Sequence, residues 1–144
     1  MVVMTKQSQQ SKCYAAALKM LMRREHSKLE LTQKLNLKGF EDSVINDSIT
    51  LLVEKKYQSD KRFCEAFILM RYNQGKGPVK ISVELKSRGI SRFDLTLFNW
   101  FELAKEVKYK KFGDSKSLDY KEEVKQKRFL QSRGFGFDEI NQAF

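Results

Sequence analysis

Residues 35–40 read LNLKGF, and two close variants of this phrase follow along the chain: LKSRGI at 85–90 and LQSRGF at 130–135. Each phrase opens on leucine, carries a basic residue before its glycine, and has a large apolar residue after it. A phrase that recurs at near-even intervals indicates an internal repeat, and a repeat sets the architecture of a chain.

Each phrase predicts the end of a helix followed by a sharp turn. A glycine just past a helix adopts the left-handed conformation that residues with a Cβ enter only at a cost, and a cation on the last turn favours the helix dipole. We expect the residue after each glycine to pack on the leucine that opens the phrase. These pairs are Phe40 with Leu35, Ile90 with Leu85, and Phe135 with Leu130. Three ordinary helix ends are the simpler alternative, but the shared basic residue and apolar pair favour true repetition.

The composition fits a helical, well-solvated protein of 144 residues with one proline and seven glycines. Its 28 lysines and arginines exceed the 18 acidic residues, which gives a formal net charge of +10. The excess is spread over both halves of the chain, so no basic tail accounts for it. Such a surplus is typical of a protein with a polyanionic partner, either a nucleic acid or an acidic protein surface.

Apolar residues at helical spacing, together with capping signals, predict helices throughout, and no segment alternates long enough to make a convincing strand. We expect a flexible tail at 1–10, with Ser11 capping the first helix. Three-helix repeats are then predicted at 11–58, 59–98 and 99–144. The predicted fold class is all-α, with three tandem three-helix repeats in an elongated, curved array.

Individual signals support these helices. Ser27 and Glu30 form a capping box, and Asn99 can cap the helix that carries Trp100. In the second repeat, Ser91 with Asp94 predicts a short helix. The predicted apolar face of the helix before it consists of Phe63, Ala66, Phe67 and Met70.

The residues that usually carry chemistry are sparse here. His26 is the only histidine, stands apart from any cysteine or carboxylate cluster, and is assigned a structural or solvent-facing role. Cys13 and Cys64 are predicted to be buried thiols rather than nucleophiles paired with His26. The segment Gly75–Gly77 lacks the spacing of a phosphate loop and is interpreted as a hinge before Pro78, with a backbone contact to phosphate as the alternative. We therefore predict a non-enzymatic protein with no cofactor and no metal.

Basic pairs stand at predicted helix ends and faces. They are Arg23-Arg24, Lys55-Lys56, Lys61-Arg62, Lys110-Lys111 and Lys127-Arg128. One such pair alone is usually a solvated face, but together they favour a partner that carries many negative charges.

Six segments, in order and at suitable spacing, resemble the RecX family of bacterial regulators of the recombinase RecA. They are 23–27 with 30–31, 60–63 through 66–67, 75–78 through 84–85, 100 through 103–104, 110–113, and 127–130 through 133–135. The resemblance covers nearly the whole chain, from about residue 16 to residue 144. Two positions depart from the family pattern, since Asn99 and Gly136 stand where Asp and Ser or Thr are frequent.

The resemblance implies tandem three-helix repeats and a cytoplasmic regulator that lies in the groove of a RecA–DNA filament and suppresses its ATPase and strand-exchange activities. It also implies weak, electrostatic binding to single- or double-stranded DNA. We expect a monomer with no membrane partner. The candidate contacts to RecA or DNA are Arg23, Arg24, Arg62, Lys76, Lys80, Lys110, Lys111, Arg128 and Arg133.

Two other functions stay open at this point. Three-helix units also occur in DNA-binding proteins, so the chain could act on DNA without RecA. Alternatively, it could be a structural interaction protein whose charge serves only its solubility.

Overall fold

A computed structural model of the protein describes residues 5–114 and 118–144. In these two ranges the regular structure consists of eight α-helices without a β-strand. The helices are α1 Lys6–Arg23, α2 Lys28–Leu37, α3 Asp42–Glu54, α4 Asp60–Asn73, α5 Pro78–Ser87, α6 Trp100–Phe112, α7 Tyr120–Ser132 and α8 Phe137–Gln142. The prediction of an all-α protein is confirmed.

The chain divides into two compact units. Unit 1 comprises Met1–Ala66 with Arg88–Ser91, and unit 2 comprises Phe67–Ser87 with Arg92–Phe144. The first division falls inside α4. The repeat borders expected after residues 58 and 98 therefore stay a prediction.

The core of unit 1 lies between α1, α2 and α3, which pack on one another. Each fully buried leucine in it contributes about 2 kcal/mol by leaving water. The buried side chains come from all three helices at helical spacing: Cys13, Ala17, Leu31, Leu35, Val44, Ile45, Ile49 and Leu52. Phe40, the residue after the first repeated glycine, packs partly buried against this cluster.

The repeated phrases at 35–40 and 130–135 form glycine caps. After α2, the N–H of Gly39 donates to the carbonyl of Asn36 (2.9 Å) and that of Phe40 to Leu35 (3.3 Å). After α7, the N–H groups of Gly134 and Phe135 donate in the same pattern to Gln131 (3.0 Å) and Leu130 (3.2 Å). Gly39 and Gly134 have φ of 93° and 98°, and Gly89 of the middle phrase has 82°. The predicted helix ends are confirmed.

The same cap also occurs where the sequence shows no such phrase. The N–H of Tyr57 donates to Leu52 (2.9 Å) and that of Lys56 to Val53 (3.0 Å) at the end of α3. Lys56 takes the glycine position with φ of 64°, a conformation that is costly for a residue with a Cβ. The cap therefore depends more on the hydrogen-bond pattern than on the glycine.

The first helix begins earlier than predicted. Thr5, and not Ser11, is its N-cap, and the Thr5 Oγ1 accepts from the N–H of Ser8 at 3.1 Å. The amide of Gln10 donates to Asp47 on α3 at 2.9 Å, which ties this early part of α1 to unit 1. The predicted tail is thus helical from Lys6 onward, and residues 1–4 lie outside the described residues.

The predicted short helix after Ser91 is wrong. Residues 91–95 have no regular structure, and a turn at 96–97 and a bend at 98 precede α6. Asp94 accepts hydrogen bonds from the N–H (2.9 Å) and hydroxyl (2.6 Å) of Thr96, which is a local pairing that competes with a helix. The indole of Trp100 donates to the carbonyl of Leu95 (2.6 Å), which holds that carbonyl in a non-helical bond. The second repeat therefore contributes two helices, α4 and α5, to the described residues.

The predicted face of α4 is half right. Phe63 and Phe67 are buried, whereas Ala66 and Met70 are exposed. Cys64 and Ile68 take their places in the interior. The buried stripe follows i, i+1, i+4, i+5. The prediction therefore included two apolar residues, Ala66 and Met70, that lie on the exposed side of the helix.

The other predicted caps are confirmed. Ser27 accepts from the N–H of Glu30 (3.1 Å) while Glu30 accepts from that of Ser27 (3.2 Å), and Asn99 accepts from Glu102 (3.1 Å). Gly136 has no capping side chain, and Glu139 instead accepts from its N–H at 3.4 Å.

The core of unit 2 gathers around α6, α7 and α8, which pack on one another. Its buried side chains include Ile81, Leu85, Trp100, Leu103, Ala104, Leu130, Phe135 and Ile140. Among the described residues, no helix is both long and apolar enough to cross a membrane.

Candidate functional site

The start of α5 docks on the end of α7 in unit 2. The N–H of Gly77 donates to the carbonyl of Arg133 at 2.8 Å, and the N–H of Val79 donates to the carbonyl of Gly134 at 2.9 Å. Donors at the first turn of one helix thus satisfy carbonyls at the end of another, and the two helix dipoles meet with opposite ends. We call this contact the α5–α7 joint.

Glycine is required on both sides of the joint. A Cβ at Gly77 would overlap the backbone carbonyl of Gly134, and a Cβ at Gly134 would overlap the Cβ of Lys80. The sequence identified both glycines by their local role, as a hinge and as a helix cap. Their contact with each other joins positions that are far apart in the chain, and no local signal carries it.

The joint brings three predicted site residues together: Lys76, Lys80 and Arg133. The pKa of Lys76 lies below the ordinary value, because of partial burial and because the charges of Arg133, Lys80 and Arg71 surround it. Glu84 acts in the opposite direction but already pairs with Arg71 (Nε to Oε2, 2.7 Å). We call Lys76, Lys80 and Arg133 the joint cluster.

A cavity of about 460 Å³ in unit 2 adds two more predicted residues to this region. Lys110 and Lys111, from the last turn of α6, line it together with Arg133. The rest of its wall comes from Tyr72, Asn73, Gln74, Gly75, Leu103, Glu106, Val107 and Phe129. Arg133 thus belongs both to the cavity and to the joint cluster.

The ring of Phe129 supports two of these cations. The guanidinium of Arg133 lies 5.1 Å from its centroid and the Nζ of Lys111 lies 5.5 Å away. Phe112 packs edge-on against Phe129 at 5.3 Å. A cation over an aromatic face is held in place by the ring quadrupole, so both positive groups are partly preorganised.

Few carboxylates neutralise the cations of the cavity and the joint cluster. Within the described residues, the five side chains form no ion pair with a carboxylate: Lys76, Lys80, Lys110, Lys111 and Arg133. Glu106 is the carboxylate among the residues that line the cavity. The cavity and the joint cluster therefore make a positive surface on unit 2.

The predicted basic residues of unit 1 are placed differently. Arg24 binds Glu30 through two contacts (3.1 and 3.2 Å), and Arg62 binds Glu25 (3.0 Å) and the carbonyl of Tyr57 (3.1 Å). Both guanidinium groups are thus engaged within the unit. Arg23 ends α1 as an exposed residue.

Arg128 has different neighbours from the residues of the joint cluster. It is exposed on α7 and lines a shallow hollow with Tyr120, Lys121, Val124 and Lys125. This second basic face of unit 2 has no carboxylate among its lining residues.

Three residues of the surface were not singled out by the sequence reasoning: Phe129, Glu106 and Arg71. Helical spacing could have indicated two of them, because Phe129 stands four positions before Arg133 and Glu106 four before Lys110. Arg71 contacts the ring of Phe67 (4.9 Å) and the amide of Gln74 (2.8 Å) as well as Glu84, which makes it a structural residue.

His26 is a structural residue of unit 1. Its buried ring has Nδ1 3.0 Å from the carbonyl of Arg24 and Nε2 3.0 Å from the Nζ of Lys34. A carbonyl can only accept, so Nδ1 carries the proton and Nε2 accepts from the ammonium. Burial lowers the pKa of His26, and the charges of Arg24 and Lys34 lower it further, although the hydrogen bond to the Arg24 carbonyl and the charge of Glu30 act in the opposite direction.

This arrangement predicts that stability falls as the pH drops below the ordinary histidine pKa of 6.5. The unfolded state takes up the proton at a higher pH than the folded state, so acid favours unfolding in this window. Urea midpoints measured from about pH 8 down to about pH 5.5 should decrease, and His26→Gln should flatten that decrease. An equally steep decrease in the variant would contradict the assignment.

The thiols behave as expected from the sequence. Cys13 and Cys64 are free and buried, and burial raises the pKa of both. Both are therefore protonated near neutral pH, and neither is poised as a nucleophile.

Comparison with known proteins identifies the relatives of this chain. Models of the first, second and third three-helix domains of RecX match residues 13–51, 59–95 and 99–144. The chain is 39% identical over 140 residues to Regulatory protein RecX of Legionella pneumophila, which covers 93% of both proteins. It is 38% identical over 134 residues to that of Vibrio campbellii, covering 89% of this chain and 86% of the relative. The crystal structure of RecX from Lactobacillus salivarius matches with a TM-score of 0.75 and 25% identity over 94% of each chain.

Proposed function

The chain belongs to the RecX family, and on that premise we propose that it is a non-enzymatic regulator of the RecA–DNA filament. In this proposal it binds the filament and suppresses ATP hydrolysis and strand exchange during recombination and DNA repair. Its place is the bacterial cytoplasm, within the SOS response, and it acts as a monomer without a cofactor. The regulatory character follows from the family; the partner and the direction of the effect are our proposal.

The observation that carries the proposal is the unneutralised positive surface of unit 2. Five cations stand around the cavity and the α5–α7 joint, whereas Arg24 and Arg62 of unit 1 are bound to carboxylates. A filament offers both phosphates and acidic protein side chains, and a concentrated positive surface is drawn to either. Of the nine candidate contacts, we therefore favour Lys76, Lys80, Lys110, Lys111 and Arg133.

Co-sedimentation with RecA filaments tests the proposal against direct action on DNA alone. Filaments assembled on single-stranded DNA with a slowly hydrolysed ATP analogue are pelleted with the protein, and the same DNA without RecA serves as the comparison. We expect more protein to pellet with the filament than with an equal mass of DNA at physiological salt. Equal recovery on naked DNA would favour the alternative function, a DNA-binding helical module that acts without RecA.

A further inference from the structure

We propose that the joint cluster, with Lys110 and Lys111 of the adjacent cavity, is a side-chain site for phosphate groups, and that Arg24 and Arg62 of unit 1 take no part in it. The ligand chemistry is a run of phosphates, either along a nucleic-acid backbone or in a free polyphosphate. This deepens the proposed function by naming what one surface binds. Its test contains no RecA, so the two can fail separately.

The backbone donors at this place are already used. The N–H groups of Gly77 and Val79 donate across the joint, and the N–H of Gly75 donates to Tyr72 at 2.9 Å. The N–H of Lys76 donates to Arg71 at 3.0 Å. A phosphate therefore has no free amide cradle here, which rules against the backbone contact considered from the sequence. Side-chain cations must hold it.

The aromatic rings beside the cavity are also engaged. Phe129 carries Arg133 and Lys111, while Tyr72 stacks on Phe98 at 4.4 Å and meets Trp100 edge-on at 5.6 Å. Proteins that hold single strands by their bases offer aromatic faces for stacking. Here those faces already have partners, so the site favours phosphates over bases and binds without base preference.

The charges at the site favour an anion. Lys76 lies among Arg133, Lys80 and Arg71, and a bound phosphate would relieve this repulsion between like charges. Arg133 presents a planar fork that suits two phosphate oxygens at once. Glu106, in the cavity wall, opposes the same ligand. Loss of the Arg133 charge should therefore weaken phosphate binding, whereas loss of the Glu106 charge should strengthen it.

The cavity is large enough for such a ligand. Its volume of about 460 Å³ lies in the range of sites that hold small molecules. Arg133 lines it while sharing the joint with Lys76 and Lys80, so one end of a phosphate chain can enter the cavity while the other meets the joint cluster.

Fluorescence anisotropy of a labelled oligothymidine tests the site. We expect Arg133→Gln and Lys110→Gln each to weaken binding about fivefold at low salt. The slope of log K against log salt should fall by about 0.7 for each phosphate that the variant no longer neutralises. Glu106→Gln should tighten binding about twofold to fivefold. The matched control is Lys19→Gln, an exposed lysine of unit 1 with the same change of charge as Lys110→Gln, and its effect should stay under about twofold.

Competitors distinguish the sources of the ligand. Displacement of the oligonucleotide by tripolyphosphate, abolished in Arg133→Gln, supports a site that accepts free polyphosphate as well. Displacement only by unlabelled DNA supports a site for the nucleic-acid backbone. Displacement by polyglutamate at lower charge concentration than by tripolyphosphate would overturn the proposal in favour of an acidic protein partner.

Two further results would also overturn it. One is an equal loss of affinity in Lys19→Gln and Lys110→Gln, which would mean that only the net charge matters. The other is unchanged or weaker binding in Glu106→Gln. Thermal melts of each variant show whether it is folded, and Lys110→Gln, on the exposed end of α6, keeps the test valid if Arg133→Gln is destabilised.

Discussion

Substituting alanine for Gly134 is expected to lower the free energy of unfolding by about 3 kcal/mol or more. Its φ of 98° alone costs a residue with a Cβ about 1–2 kcal/mol. The added methyl group would also overlap the Cβ of Lys80, which is fixed to the backbone, so α5 must move away from α7 at this point. Crowding of this kind typically costs about 1–3 kcal/mol more.

Gly39→Ala is the matched control for this experiment. Gly39 has nearly the same backbone, with φ of 93°, and ends a helix with the same hydrogen-bond pattern, but a Cβ there would meet nothing within 4 Å. The destabilisation should be only the backbone cost of about 1–2 kcal/mol. Urea unfolding of the two variants isolates the close approach at the joint, and equal destabilisation would contradict it.

Reversing the charge of Lys110 and Lys111 is expected to raise the concentration needed for half-maximal suppression of RecA at least about tenfold. Both side chains are exposed, line the cavity and form no ion pair with a carboxylate among the described residues, so the change should leave the fold intact. The double reversal turns two positive charges into two negative ones on the surface that the proposal places against the filament. The measurement is a titration of Lys110→Glu/Lys111→Glu into RecA with single-stranded DNA.

The control for that titration must carry the same change of charge elsewhere. Lys19→Glu/Lys61→Glu alters two residues of unit 1, and its midpoint should stay within about twofold of the unaltered protein. Reversal at Arg24 would be a poor control, since a new carboxylate would face Glu30, whose pKa is lowered because hydrogen bonds from Arg24 and Ser27 outweigh its burial. Equal shifts in the two double variants would contradict a localised site.

Local signals predicted most of the fold. The capping box at Ser27, the glycine caps at Gly39 and Gly134, and Pro78 at the first position of α5 each depend on residues within about six positions of one another. The short helix predicted after Ser91 also depended on a local signal, and that signal is ambiguous. Asp94 can support a helix start or close a turn with Thr96, and the structure has the turn.

The candidate site was predicted only as a set of residues. Nothing in the sequence shows that Arg24 and Arg62 bind carboxylates while Lys76 and Arg133 do not, because ion pairs depend on which helices meet. The contact between Gly77 and Gly134 likewise joins two repeats through backbone atoms, and such a contact cannot be recognised from a pattern of side chains in the sequence. The sequence thus predicted which residues are cationic candidates. Which of them form ion pairs and which do not depends on tertiary contacts.

The rate of ATP hydrolysis by RecA on single-stranded DNA, measured with and without this protein, decides whether the chain regulates the filament. We expect the rate to fall as the protein approaches stoichiometric amounts, and Lys110→Glu/Lys111→Glu to restore most of it while the unit 1 control does not. An unchanged rate at stoichiometric protein, with the protein shown to be folded, would contradict regulation of the RecA filament.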